Sequence, residues 1–279
     1  MIVITGATGN VGRPLVQALA AAGEKVTAVS RRPFGEEAQP GVVHRQADLA
    51  EPESLRPSLD GADALFLLVA GGGEGVSASG ILAVAGAAGV RRVVLLSSQG
   101  AGTRPQSPSH APLRAFEDDV RNSGLEWTVL RPGGFASNAF LWAESVRARR
   151  TVAAPFPGVG LPVIDPADIG EVAAAVLREA GHAGHTYELT GPSPVSPREQ
   201  AEAIGHALGA PVRFIEQSRD EARAQLVRFM PGPVADGTLA ILGEPFAAEQ
   251  RVSPAVEQIL GRPARTFAQW VQRNIAAFR

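Results

Sequence analysis

The run Thr5-Gly6-Ala7-Thr8-Gly9-Asn10-Val11-Gly12 is the stretch of this chain best suited to holding a charged ligand. It lies between a β-branched strand, residues 1–5, and a helical stretch, residues 10–22. At that junction Gly6 permits a tight turn, Gly9 lets backbone approach a pyrophosphate, and Gly12 lets the helix pack closely on the strand. The helix start then offers free N–H groups and a positive dipole end to phosphate oxygens. Thr8, Asn10 and Val11 complete the cradle. The spacing therefore predicts a dinucleotide site, the alternative being a plain strand–helix turn.

A second group selects the nucleotide. An acidic residue at the end of the second strand would pair with a ribose 2′-hydroxyl, but this chain has Ser30-Arg31-Arg32 there. Guanidinium groups bind phosphate bidentately, whereas a carboxylate would repel it. The expected cofactor is NADPH rather than NADH. Arg31 is the stronger phosphate ligand, and Arg32 is equally well placed as a solvated loop charge.

The elements that must position these groups follow from the apolar pattern. Val11, Leu15 and Leu19 recur four apart, one face of a helix. Residues 25–30 and 41–46 read as strands. Residues 64–69 and 92–97 are near-continuous apolar runs, as in parallel strands covered on both faces. Residues 111–123 read as a helix and 125–130 as the next strand. Such alternation predicts an α/β fold with a doubly wound parallel sheet. Beyond Pro132, residues 165–179 read as a helix with Asp165 or Asp168 at its start. Residues 186–190 read as a further strand. Pro192, Pro194 and Pro197 then break the chain, and helices are expected over 197–208 and 263–278. The expected division is a nucleotide-binding domain, 1–192, and a smaller, mainly helical substrate-binding lobe, 193–279, to which residues 135–165 partly contribute. Residues 71–75 and 99–109 read as loops on the rim where ligands bind.

Composition narrows the chemistry. The 279 residues carry a formal charge of −2, so neither nucleic acid nor an anionic membrane is an expected partner. The absence of cysteine excludes disulfides, thiolate metal sites and a cysteine nucleophile. The histidines show no metal-ligand spacing. No signal peptide or spanning segment is visible, and a cytoplasmic location is expected. Lys25 is the sole lysine among 26 basic residues, a usage that with abundant Ala, Gly and Pro points to a high-GC bacterial source.

TGATGNVG, Ala47-Asp48-Leu49, Leu96-Ser97-Ser98, Ser123-Gly124-Leu125, Leu130-Arg131-Pro132-Gly133 and Tyr187-Glu188-Leu189-Thr190-Gly191 together resemble the NmrA-like branch of the atypical short-chain dehydrogenase/reductases, a Rossmann superfamily. The resemblance covers most of residues 1–192. It implies NADPH-dependent quinone reduction or NADP sensing. It places Asp48, with Leu49, at the adenine, and Val69, Ala70 and Gly133 along the cofactor. Ser97 and Ser98 fall where the family carries its active-site hydroxyl. Phe135 and Phe140 are expected to wall the pocket or to belong to the core, and Glu117 and Asp118 to be helix-surface charges.

The superfamily's Tyr-x-x-x-Lys pair is missing. The only tyrosine is Tyr187 and the only lysine Lys25, so they cannot form it. The family's spacing puts its two positions on Ser109 and Leu113; one residue on stand His110 and Arg114, four apart on one helix face. The candidate catalytic residues are therefore His110, Ser98 and Arg114. Three readings stay open: hydride transfer to a quinone-like acceptor that needs little general acid, NADP sensing without chemistry, and coupling or isomerisation of an aromatic metabolite. The expected partner is an apolar or aromatic small molecule. The sequence does not fix an oligomeric state.

Overall fold

A computed structural model describes residues 1–32, 39–69, 73 and 75–279. In chain order the elements are β1 (Ile2–Thr5), α1 (Gly12–Ala21), β2 (Val26–Ser30), β3 (Val42–Gln46), α2 (Arg56–Leu59), β4 (Ala64–Leu67), α3 (Ala78–Ala87), β5 (Arg92–Leu96), α4 (Gln99–Thr103), α5 (Ala111–Arg121), β6 (Glu126–Pro132), α6 (Ala143–Arg149), β7 (Thr151–Ala154), α7 (Pro166–Arg178) and β8 (His185–Leu189). There follow α8 (Pro197–Leu208), β9 (Arg213–Glu216), α9 (Arg219–Leu226), α10 (Gly232–Gly243), α11 (Ala247–Gln250), α12 (Ala255–Leu260) and α13 (Phe267–Asn274).

Seven strands form a parallel sheet in the order β3-β2-β1-β4-β5-β6-β8. The order reverses between β1 and β4, and a crevice opens there at the carboxyl ends of the strands. Alternation along each strand feeds two cores. Ile2, Ile4, Val94 and Leu96 pack towards α1 and α7; Val3, Leu65, Val93 and Leu95 pack towards α3 and α5. Gly170 of α7 lies so close to α1 that a Cβ there would sit 2.8 Å from the Leu15 nitrogen. The helix that begins at the glycine turn is thus held from behind.

Residues 136–152 share a third core with the tail, formed by Val146, Val152, Ile204, Phe267, Trp270 and Phe278. Asp165 caps α7 through the Ala167 N–H. Asp168 is fully buried, receiving Arg262 and Arg265, and Arg273 bonds Asp165. The tail is mainly helical, as expected, with one strand, β9, that returns to pair in parallel with β7. One expectation needs correction. Residues 99–103 are helix α4 rather than loop, started by Ser98, whose Oγ accepts the Gly100 N–H at 3.2 Å. No helix among the described residues is long and apolar enough to cross a membrane.

Candidate functional site

Gly6 has φ +64°, a backbone state that L side chains rarely adopt, and a Cβ there would lie 2.7 Å from Leu68. Gly12 has no room either: its Cβ would be 2.2 Å from the Gly6 carbonyl oxygen. Gly9 is looser, 3.3 Å from the same oxygen, so its lack of a side chain serves the space outside the turn more than the turn itself. The Leu68 N–H donates to Thr5 Oγ1 at 2.8 Å, tying β1 to the end of β4. The cap of α1, Val11, has no capping side chain, and no acidic residue stands in the first turn. The α1 N-terminus therefore faces the crevice with its dipole uncompensated. Asn10 points aside, donating to Ser137 Oγ at 3.2 Å.

A cleft of about 220 Å³ opens in front of this turn. It brings together Gly6, Thr8, Gly9, Ser30, Arg31, Asp48, Leu49 and Val69, eight residues singled out from sequence. Arg32, Asn10, Val11 and Gly12 do not line it, and Ala70 lies outside the described residues. Ser30 donates its hydroxyl to the Arg32 carbonyl at 2.5 Å, and Gln46 donates to the Arg31 carbonyl. Ser30 thus shapes the turn, leaving the Arg31 guanidinium as the cleft's cation. Asp48 accepts the Ala50 N–H on Oδ1. One basic residue escaped the sequence reading: Arg13, in the first turn of α1, folds back to donate to the Thr8 carbonyl at 2.9 Å. Its position straight after the last glycine was the available signal.

At the ends of β5 and β6 a buried network replaces an expected surface charge. Glu117, 1% exposed, accepts Ser97 Oγ at 2.6 Å, Arg131 Nε at 2.9 Å and Nη2 at 2.6 Å, and Arg121 Nη2 at 2.8 Å. Burial pushes its carboxyl up, but these donors outweigh burial and hold it below the usual carboxylate range. The pleat explains the placement: Val93 and Leu95 face α5, so Ser97 does as well. Asp118, by contrast, is exposed, as expected. The Ser97 proton is therefore committed to Glu117. The Ser98 hydroxyl accepts from Gly100 at the mouth of the β5–α4 elbow. Gly133 donates its N–H to Leu189, and a Cβ on it would lie 3.3 Å from Gln99 Oε1.

His110 ends a short 3-10 turn, Pro108–His110, at the start of α5. Its Nδ1 lies 3.1 Å from Ser109 Oγ, and its Nε2 abuts Gly100 so closely that a Cβ there would sit 2.2 Å away. Burial, then Arg114 and Arg104, push the imidazole pKa down, so the ring is neutral at physiological pH. Arg114 donates to the Ser107 carbonyl at 3.2 Å. Arg104 joins Glu249, 2% exposed, through Nε at 2.7 Å and Nη2 at 2.8 Å, fastening α11 over α4. Tyr187 stands apart on the edge strand β8, its hydroxyl 2.9 Å from His182 Nδ1, with burial raising its pKa. Phe140, 37% exposed, packs edge-on against Trp270 at 4.9 Å on the outside of the third core.

Residues 6–180 match the family model described as NAD(P)H-binding. The chain belongs to the NAD(P)H-binding family. The chain is 36% identical to the (4-alkanoyl-5-oxo-2,5-dihydrofuran-3-yl)methyl phosphate reductase of Streptomyces griseus, covering 100% of this chain and 99% of that protein. It is 26% identical to the NADPH-dependent quinone oxidoreductase of Escherichia coli solved with NADPH, with TM-score 0.82 and 98% and 99% of the two chains covered. The negative transcriptional regulator NmrA shares the fold at 20% identity, TM-score 0.77, covering 99% and 95%.

An NAD(P)H-binding protein needs a phosphate cradle, an adenine slot and an opening to the sheet's far half, and the residues present fit. The cradle would be the turn that a Cβ on Gly12 would close, with the α1 dipole behind it. Leu49, Val69 and Val76 would form the apolar sides of the slot. Beyond Val69 the rim continues to Ser98 and Gly133 at the ends of β5 and β6.

Proposed function

We propose that this protein is an NADPH-dependent reductase passing hydride to an electrophilic conjugated small molecule, a quinone or an unsaturated carbonyl compound. The observation that carries the reading is the pairing of a cleft in front of the glycine turn, lined by Arg31 and Asp48, with a chain that lacks the tyrosine–lysine pair. The Arg31 guanidinium would hold the 2′-phosphate and the glycine turn the pyrophosphate. NADPH supplies the hydride when bound. A ketone needs a general acid as hydride arrives, because its oxygen becomes a strongly basic alkoxide. A quinone or conjugated carbonyl delocalises that charge and takes its proton from water or a weak donor. His110, neutral and wedged between Ser109 and Gly100, is a weak donor of that kind, and Ser98 offers a hydroxyl at the elbow. The full-length similarity to a (4-alkanoyl-5-oxo-2,5-dihydrofuran-3-yl)methyl phosphate reductase and a quinone oxidoreductase supports the same acceptor class. Steady-state oxidation of NADPH against a panel of quinones, enones and simple ketones tests it. Turnover limited to the quinones and enones is expected; equal rates on simple ketones would demand a stronger acid than these residues supply.

A further inference from the structure

Seven arginines of this chain are neither exposed nor fully buried: Arg92, Arg104, Arg114, Arg121, Arg131, Arg262 and Arg265. Six of them sit within ion-pair distance of a carboxylate. Arg114 is the exception among the described residues, its recorded partner being the Ser107 carbonyl. A half-buried cation without a counter-charge is unfavourable. Its position in the first turn of α5, at the positive end of the helix, makes it more so.

Two hydroxyls and an imidazole lie beside Arg114. Ser107 and Ser109 hydroxyls lie 2.8 Å apart, and Ser109 is 3.1 Å from His110 Nδ1. No acidic residue stands in the first turn of α5. The neighbouring charges that face His110 are Arg104 and Arg114, both lowering its affinity for a proton, against Glu249, which Arg104 already pairs. The group also borders the reaction end, since His110 rests on Gly100, two residues beyond Ser98. The tail closes the far side: Gly237 of α10 meets Ser109 with no room for a side chain.

We propose that Arg114, with the Ser107 and Ser109 hydroxyls, binds an anionic substituent of the substrate, a phosphate or carboxylate group carried by the conjugated acceptor. This rests on the reductase reading for the acceptor's identity, though not for the anion site itself. The guanidinium anchors the charged group while the apolar part of the acceptor reaches towards the nicotinamide end. Arg114 is then a specificity determinant rather than a proton carrier, a role its fixed charge suits.

Two experiments separate this inference from the reductase reading. In the first, inorganic phosphate is titrated into the NADP-loaded chain while the His110 ring resonances are followed by NMR. Saturable movement is expected in wild type, with an upward shift of the His110 pKa because an anion favours the imidazolium. Arg114→Ala should remove the phosphate response. No response in wild type, or an undiminished one in Arg114→Ala, overturns the proposal whatever the protein's activity. In the second, kcat/KM is measured with 1,4-naphthoquinone and its 2-sulfonate. Arg114→Ala should lower the sulfonate value about 10- to 100-fold more than the neutral value, mainly through KM, with Arg114→Lys intermediate and NADPH affinity retained. Equal losses on both acceptors would contradict it.

Discussion

At the scale of single residues, selectivity for the cofactor should rest on Arg31. It lines the nucleotide cleft, whereas Arg32 does not and Ser30 has its hydroxyl bound to backbone. Calorimetry of Arg31→Ala should show NADPH affinity falling by about 1.5–3 kcal/mol, roughly 10- to 150-fold, with NADH affinity nearly unchanged. Arg32→Ala should cost far less. Tyr187 makes the opposite prediction. Its hydroxyl bonds His182 on the edge strand, remote from the cleft, so Tyr187→Phe should keep turnover within a few-fold, where loss of a positioned general acid costs about 10²–10⁴-fold. Both predictions start from the sequence, one from a tripeptide after a strand and the other from a count of one tyrosine. Glu117 was not. Its helix position reads as surface, and its burial follows only from Ser97 and Arg131 arriving from two other strands.

Among the elements, the glycine turn and the β5–α5 junction respond differently to change. Gly9 is less crowded than Gly12, its Cβ falling 3.3 Å from the Gly6 carbonyl oxygen, and it lines the cleft, so Gly9→Asp should abolish NADPH binding with only a modest fall in melting temperature. Gly12→Ala forces a methyl group against the Gly6 carbonyl and should destabilise the fold itself by about 1–3 kcal/mol, read as a lowered urea midpoint. At the junction, Glu117 holds a folded-state pKa below its unfolded one. Its stabilisation is therefore present above the unfolded carboxylate range and is lost as pH falls through the folded value. Glu117→Gln leaves half-buried Arg131 without its paired carboxylate, while Arg121 keeps Asp118, and should cost about 3–5 kcal/mol at neutral pH, with a shallower decline of stability on acidification. The strand–helix alternation was readable because both sheet faces are covered, which makes the strands continuous apolar runs. Helix α4 was hidden because Gln99-Gly100-Ala101-Gly102-Thr103 has weak intrinsic propensity; the Ser98 cap and the Glu249–Arg104 clamp hold it from outside.

At the scale of the whole molecule, the tail completes what the sheet begins. Buried Asp165 and Asp168 receive arginines from residues 262–273, while Arg104 fastens α11 across α4. The β7–β9 pairing adds a small second sheet that no local pattern announced, because its strands are four residues each and 59 or more positions apart in sequence, from Ala154 to Arg213. The molecule that results joins the cleft at the glycine turn on one half of the rim to a junction bearing Ser98, His110 and Arg114 on the other. The central claim is that hydride crosses this rim from NADPH to an electrophilic acceptor. Its most direct measurement is the oxidation of NADPH, and of NADPH deuterated at the transferred position, in the presence of 1,4-naphthoquinone. Turnover with a primary isotope effect under single-turnover conditions, and a higher kcat/KM for NADPH than for NADH, is the predicted result. Tight NADPH binding with no oxidation by this quinone or by any conjugated acceptor would contradict the account and identify a protein that senses the nucleotide instead.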